Sequence, residues 1–390
     1  MAGKKILIVD SDVASQNFIA HNLLEQKYEV LKAGSGKEGL IFAWRDRPDL
    51  LVIDPNLSDL RGEDLAIKLR QDGRTTNVPL IALSSDLSVA RIKSCLDAGF
   101  NDYIVKSGQA ISTLNETIGR LLGFTASAAK EGGLLIVFLS AKGGTGTSSL
   151  CANIAMTVGQ NQPETRVAVV DMVLPIGSIA PIVGFEGEHN LVTLSDMIPG
   201  EMTRELFSER LSELTDWKFH LLAGSPDPES SNHLNIGRLG DIINALKANY
   251  DYVFVDLGRS LSKFSLPLIQ NCDLIALIVS TDLSTVTLTK TTWEYLRTKG
   301  VDAASVYTIL NRAVGLEGLS KPEAEKVLGI QINTAMPYLG GNFALANNWH
   351  QPYSLKFPND TAAIIFKQIA QETTELARRL RAALINGRAL

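Results

Sequence analysis

Four side chains of this 390-residue chain could converge on one reacting centre: Asp10, Asp54, Ser84 and Lys106 each stand at the end of a short apolar run. If those runs are parallel strands of one sheet, the four meet at its carboxyl edge, where ligands bind in open α/β folds. Two carboxylates, a hydroxyl and an ammonium there could bind and orient a charged group. A second candidate is Ser140-Ala141-Lys142-Gly143-Gly144-Thr145-Gly146-Thr147-Ser148-Ser149, set between the apolar run Leu134 to Leu139 and a helical stretch expected from Leu150. Glycines let backbone N–H groups converge on a phosphate, and a helix N-terminus adds partial positive charge. The common phosphate loop reads G-x-x-x-x-G-K-[ST], and this segment departs from it at Ala141 and Thr147.

The elements that must position these residues are legible as alternation. From Lys5 to Leu122, apolar runs at Ile6 to Val9, Glu29 to Leu31, Leu50 to Ile53, Leu80 to Leu83 and Tyr103 to Val105 alternate with amphipathic stretches, which makes five βα units. A second series begins at Leu134, with runs near Val167 to Val170, Phe219 to Leu222, Tyr252 to Val255, Leu274 to Val279 and Val306 to Leu310. Parallel strands need crossover helices that cover both faces, so the fold class is α/β with two doubly wound parallel-sheet domains. Residues 123–133, rich in Ala, Gly and Ser with no apolar period, are the expected linker between domains at 1–122 and 134–390.

Bulk composition bounds the function. Hydrophobic residues make up 45% and charged residues 20%, the balance of a folded chain rather than a disordered one. A net charge of -5 offers nucleic acid no general attraction, so a nucleic-acid partner is not expected. Cys95, Cys151 and Cys272 form no C-x-x-C pair and are expected as reduced core thiols. The N-terminal run Ile6 to Val9 is too short for a signal-peptide core, and no apolar run nears the roughly 18 residues of a membrane span. A cytoplasmic location is expected.

With Tyr103 and Gly62 added, the first constellation resembles the CheY-like receiver domain of two-component response regulators. The resemblance implies a flavodoxin-like sheet with Asp54 as phosphoacceptor, Ser84 touching the phosphoryl group, Lys106 pairing with it and Tyr103 as aromatic switch. A carboxylate nucleophile needs Mg²⁺ to offset phosphoryl charge. The family has adjacent acids after its first strand, whereas this chain reads Asp10-Ser11-Asp12, so weakened metal binding is expected. Ser107 and Ser58 stand where the family has prolines.

The second constellation resembles the deviant Walker A motif of the MinD/ParA ATPases, a branch of the P-loop NTPases. The resemblance implies that Lys142 crosses a homodimer interface to the partner's phosphates. Residues Gly143 to Ser149 would cradle ATP, and Ser148 and Asp171 would serve Mg²⁺. Asp256, ending Tyr252-Val253-Phe254-Val255-Asp256, would steady the ion through water, and Asn311-Arg312 would contact the base. Met336-Pro337-Tyr338 and Ala346-Asn347-Asn348 resemble later family segments. Two departures weaken catalysis: Thr147 replaces the phosphate-neutralising lysine, and Asp171-Met172-Val173 lacks the second acid of the family's D-x-D. ATP binding is expected to outlast hydrolysis.

The combination resembles the CpaE/TadZ family, which helps place and assemble Flp-type (type IVc, tight adherence) pili. That implies a dimeric scaffold or localisation factor with pilus assembly proteins as partners. The alternatives are an active MinD-like ATPase cycling on the membrane, and a phospho-signalling regulator whose second domain only dimerises. MinD touches membranes through a terminal amphipathic helix. Here Ile364, Ile365, Ile369, Leu376, Leu380 and Leu384 form a helical stripe ending near Arg378, Arg379 and Arg381. We expect that helix to pack on its own domain with a solvated basic end, membrane contact being the alternative.

Overall fold

A computed structural model describes residues 4–76, 78–123, 132–197, 203–211, 213–262, 264–312 and 317–385. Most of the expected linker, residues 124–131, lies outside them. The chain divides into two compact units, Met1–Leu122 and Gly123–Leu390.

In the first unit, strands β1 (Lys5–Val9), β2 (Glu29–Ala33), β3 (Leu50–Ile53), β4 (Leu80–Ser84) and β5 (Asp102–Val105) form a parallel sheet in the order β2-β1-β3-β4-β5. Helices α1 (Val13–Glu25), α2 (Gly36–Asp46), α3 (Gly62–Gln71), α4 (Val89–Asp97) and α5 (Ala110–Gly123) connect and cover them. Side chains alternate across a strand. Ile6, Ile8, Leu50 and Val52 therefore pack on Ile19, Leu23, Leu114 and Ile118 from α1 and α5. Leu7, Val9, Leu51 and Ile53 pack on the opposite side against Leu40, Leu65, Leu69 and Cys95.

The second unit holds β6 (Leu134–Ser140), β7 (Val167–Asp171), β8 (Glu213–Leu214), β9 (Phe219–Leu222), β10 (Tyr252–Asp256), β11 (Leu274–Ser280), β12 (Val306–Asn311) and β13 (Thr334–Met336). The order is β13-β12-β11-β6-β10-β7-β9-β8, parallel except for the β8–β9 pair. All expected strands are present. The additional β8 and β13, two and three residues long, are too short to register as apolar runs. Strand β6 lies centrally, with β10 on one side and β11 on the other; the chain leaves β6 for β7 on one side and leaves β11 for β12 on the other, so the carboxyl edge between β6 and β11 is a topological switch point. Ile136 and Phe138 pack on the helices Thr147–Asn161 and Thr361–Ile385. Leu135, Val137 and Leu139 face Ile242, Leu246, Leu268 and Trp293 on the other layer.

The C-terminal helix Thr361–Ile385 packs along its length through Ala362, Phe366, Ile369, Ala370, Thr373, Ala377 and Leu380, so small residues and Phe366 carry the contact. Ile364 and Leu384, expected on the stripe, are exposed. The expectation of a solvated basic end holds for Arg378 and Arg379, which are exposed, and is corrected for Arg381. Arg381 is buried and makes a two-pronged ion pair with Asp273, adding the Gly132 carbonyl at 3.1 Å. Arg378 bonds the Gln162 side chain at 2.8 Å. A buried carboxylate needs such a partner, because isolated burial of its charge is very costly. No helix among the described residues is long and apolar enough to cross a membrane. The three cysteines are free, Cys95 and Cys151 buried and Cys272 partly so.

Candidate functional site

The first site lies beyond the carboxyl ends of β1, β3, β4 and β5. Val9 pairs with Ile53 across the sheet, which sets Asp10 beside Asp54. Lys106 reaches both, with its Nζ 2.9 Å from Asp10 Oδ2 and 2.6 Å from Asp54 Oδ2. Burial alone would lower the Lys106 pKa, but hydrogen bonds to Asp54 and Asp10 and their charges carry it above the ordinary lysine value. Asp10 Oδ2 also accepts from the Ser15 hydroxyl at 2.8 Å, and Ser84 is fully buried at the end of β4. Tyr103 donates its hydroxyl to the Asp86 carbonyl at 2.7 Å, which turns its ring back toward the β4–α4 loop.

The departure at Ser11 has a structural consequence. Ser11 is exposed, and the neighbouring acid Asp12 is the N-cap of α1, accepting from Ala14 N at 2.9 Å. One oxygen of its carboxylate, Oδ1, is thereby held by the start of the helix. Gly62 does answer a close approach: a Cβ there would lie 2.5 Å from Pro55 Cα. An additional clamp was invisible in the sequence. Arg91 of α4 bonds Glu63 Oε1 at 2.6 Å and the Pro55 carbonyl at 2.9 Å, fastening α4 to the loop that follows Asp54.

The second site begins where β6 ends. The helix expected from Leu150 starts at Thr147, and its N-cap is Gly146 with φ +84, which offers no side chain to the first turn. Uncapped N–H groups at a helix start form an anion site. They open into a cavity of about 540 Å³ walled by Lys142 to Ser149, Val173, Leu174, Leu257, Gly258 and Arg259. That volume is in the range, roughly 300 to 1,000 Å³, of small-molecule pockets. Thr147 is buried with its Oγ1 2.8 Å from Thr145 Oγ1, so a neutral hydroxyl pair occupies the place of a cation.

Other loop residues are held by distant elements. Lys142 Nζ lies 3.2 Å from Asp282 Oδ1 and 3.0 Å from Ser284 Oγ at the start of helix Leu283–Thr298. Both partners of this ion pair are well exposed, and such pairs contribute about 0 to 1 kcal/mol, so it holds the lysine only weakly. Asn311, at the end of β12, donates to the Thr145 carbonyl. A smaller cavity of about 220 Å³ opens on the far side of Gly144 and Gly146, walled by Asn311, Arg312, Tyr338 and Phe343. Asn347 Nδ2 lies 3.5 Å from Ser149 Oγ.

The two acids behave differently. Asp171 and Asp256 face each other across β7 and β10, fully buried. Burial raises both carboxyl pKa values, and for Asp171 the charge of Asp256 adds to the rise. Asp171 has a task besides the metal role the resemblance implies. Its Oδ2 accepts from Ser178 N at 2.5 Å and Ile179 N at 2.7 Å, and its Oδ1 from Val173 N at 3.1 Å. It is the brace of the loop after β7. Asp256 Oδ1 takes the Gly258 N–H at 2.9 Å, its buried Oδ2 has no hydrogen-bond partner among the described residues, and the nearby Ser148 hydroxyl favours the ionised form. An orphaned carboxylate oxygen beside a helix-start hydroxyl is a donor set that suits Mg²⁺. Val173 lines the cavity where the second acid of the D-x-D would stand.

Comparison with known proteins agrees with this division. Residues 6–118 match the response regulator receiver domain family. The response regulator MprA of Mycobacterium leprae is 36% identical over 102 residues, 26% of this chain and 44% of that protein; of another curated relative the chain covers only 7%. Beyond the receiver the likeness is one of fold. A ParA family ATPase from Chlorobium tepidum aligns over 61% of this chain and 98% of its own, with TM-score 0.57 and 22% identity. The septum site-determining protein MinD from Pyrococcus horikoshii, solved with Mg-ADP, aligns over 63% and 98%, with TM-score 0.54 and 20% identity. The chain therefore joins a receiver domain to a second parallel-sheet domain with the fold of the MinD/ParA P-loop ATPases.

Proposed function

We propose that this protein is a nucleotide-dependent dimeric scaffold of the CpaE/TadZ kind, which localises Flp-type pilus assembly proteins at the inner face of the cell membrane or at a cell pole. It binds ATP with Mg²⁺ and hydrolyses it slowly or not at all. The observation that carries this reading is Thr147, buried against Thr145 in an otherwise complete phosphate cradle. Transition-state charge in phosphoryl transfer needs fixed cations and a positioned nucleophile, whereas ground-state binding rests more on backbone donors. In this reading Ser148 and Asp256 serve Mg²⁺, the loop Gly143 to Ser149 holds the phosphates, and Lys142, weakly held by Asp282, is free to cross to a second copy. The MinD neighbour with Mg-ADP supports a nucleotide in this fold. The packed C-terminal helix weighs against membrane cycling. The test is the size of the full chain without nucleotide, with ADP and with ATP, for wild type and Lys142→Ala, alongside phosphate release. A shift to dimer on ATP that Lys142→Ala loses, with release near background, is the expected result. One size under all three conditions, or rapid turnover, would end this reading.

The three-way contact of Lys106 with Asp10 and Asp54 favours a second reading, a phospho-signalling regulator whose ATPase-like half is a dimeriser. Efficient Mg²⁺-dependent labelling of Asp54 would select it.

A further inference from the structure

With Thr147 neutral, the phosphate cavity has two cations in its wall among the described residues, Lys142 and Arg259. The ammonium of Lys142 is turned to Asp282 and Ser284. Arg259 is exposed, and its guanidinium has no hydrogen bond or ion pair with a described residue. Its backbone, by contrast, is fixed to the start of the phosphate loop. Ser140 donates to the Gly258 carbonyl through its N–H at 2.7 Å and through its hydroxyl at 3.1 Å, while Leu257 N bonds the Phe138 carbonyl at 3.0 Å. Gly258 adopts φ +55 beneath Val173, whose Cγ2 would stand 3.1 Å from an added Cβ, so the turn approaches that wall as closely as glycine allows.

The two cavities on either side of Gly144 and Gly146 give the site a direction. Asn311, Arg312 and Tyr338 mark one end, and Val173, Gly258 and Arg259 mark the other. A nucleotide whose base occupies the smaller cavity, beside Arg312 and Tyr338, has its terminal phosphate toward Arg259. We propose that Arg259 pairs with the terminal phosphate of a bound nucleoside triphosphate, the task a phosphate-loop lysine would have at position 147. A guanidinium presents a planar fork that bonds phosphate oxygens two at a time, and it keeps its charge at every physiological pH. This inference rests on the nucleotide-binding reading above. It makes Arg259 a specificity-determining residue, the one that distinguishes ATP from ADP.

The experiment is calorimetric titration of the full chain with ATP and with ADP, for wild type, Arg259→Ala and Arg259→Lys, each checked for an unchanged melting midpoint. Wild type should prefer ATP. Arg259→Ala should bind ATP about 10-fold to 100-fold more weakly, the size expected of a lost charge-assisted contact, with ADP affinity changed by less than about 3-fold. Arg259→Lys should recover part of the ATP affinity. If Arg259→Ala keeps the wild-type preference, the inference is overturned while the nucleotide reading stands. Equal losses for ATP and ADP would place the contact at an inner phosphate and also overturn it. If wild type binds neither nucleotide, the nucleotide reading fails and takes the inference with it.

Discussion

The side-chain amide of Asn311 donates a 2.8 Å hydrogen bond to the carbonyl oxygen of Thr145, tying the end of β12 to the phosphate loop. Asn311 is buried, and an added Cβ at Gly146 would lie 2.6 Å from its Nδ2, so the loop closes onto this amide. The resemblance assigned Asn311 to the base, but its Nδ2 is engaged in shaping the cradle. We predict that Asn311→Ala weakens inorganic tripolyphosphate and ATP by similar factors. Leaving the buried Thr145 carbonyl unpaired costs about 1 to 3 kcal/mol, roughly 5-fold to 150-fold in affinity. Competition binding of both ligands checks it, and a loss confined to ATP would restore the base-reading role.

The receiver should label poorly. Asp10 and Asp54 stand ready with Lys106, but Ser11 supplies no carboxylate and one oxygen of Asp12 is held by the start of α1. A hard cation gains affinity from each charged oxygen in its shell. Acetyl phosphate with Mg²⁺ is expected to modify only a small fraction of Asp54, and Ser11→Asp should raise that fraction severalfold. Intact-mass spectrometry reads both, with Asp54→Asn as the blank. Near-complete labelling of wild type would show that the missing acid does not limit the reaction.

How far the sequence reaches can be judged residue by residue. Strand ends are marked by the first polar residue after an apolar run, which is why Asp10, Asp54, Ser84 and Lys106 were locatable without coordinates. The glycine loop was legible because its chemistry depends on backbone, and glycine announces backbone. What stayed hidden depends on which distant elements meet. Asp282 at Lys142, Asn311 at Thr145 and Arg91 at Glu63 join segments 28 to 166 residues apart. Arg259 is not legible in the sequence, because an exposed arginine in a turn carries no pattern. Asp171 was legible as an acid at a strand end, but its commitment to the Val173, Ser178 and Ile179 N–H groups depends on a loop path that no spacing rule describes.

Arg381 is expected to matter for stability rather than for ligand binding. Its guanidinium meets both oxygens of Asp273, one of which also accepts the Leu135 N–H at 2.7 Å, so the pair fastens the last helix to the first strand of its domain. Removing one member of a buried pair costs about 3 to 5 kcal/mol because the other charge is left stranded. Arg381→Ala should therefore lower the melting midpoint of the second domain by roughly 10 °C. Exposed Arg379→Ala is the control and should change it by less than about 2 °C, as surface substitutions usually do. Equal midpoints for the two variants, read by calorimetry, would show that the helix does not depend on this anchor.

The protein should bind ATP yet release phosphate at close to the uncatalysed rate. Thr147 puts a hydroxyl, bonded to Thr145, where a lysine would neutralise the phosphates, and Val173 puts a methyl-bearing side chain where an acid would orient the attacking water. Both losses act mainly on the transition state, whose charge is spread over the transferring group. The backbone cradle, the Ser148 hydroxyl and the orphaned Asp256 Oδ2 remain, and these favour the ground state. Affinity should thus fall less than rate. The double substitution Thr147→Lys with Val173→Asp is expected to raise turnover by at least about 100-fold, since individual electrostatic groups in such sites are worth roughly 100-fold to 1,000-fold. Thr147→Lys alone should tighten ATP binding by up to about 100-fold, the worth of one charge-assisted contact. Phosphate release and calorimetry on the same preparations separate the two effects. If wild type already hydrolyses as fast as the restored variant, the neutral Thr147 and Val173 are not what sets the rate, and a cation and a water-orienting group must come from elsewhere in the site.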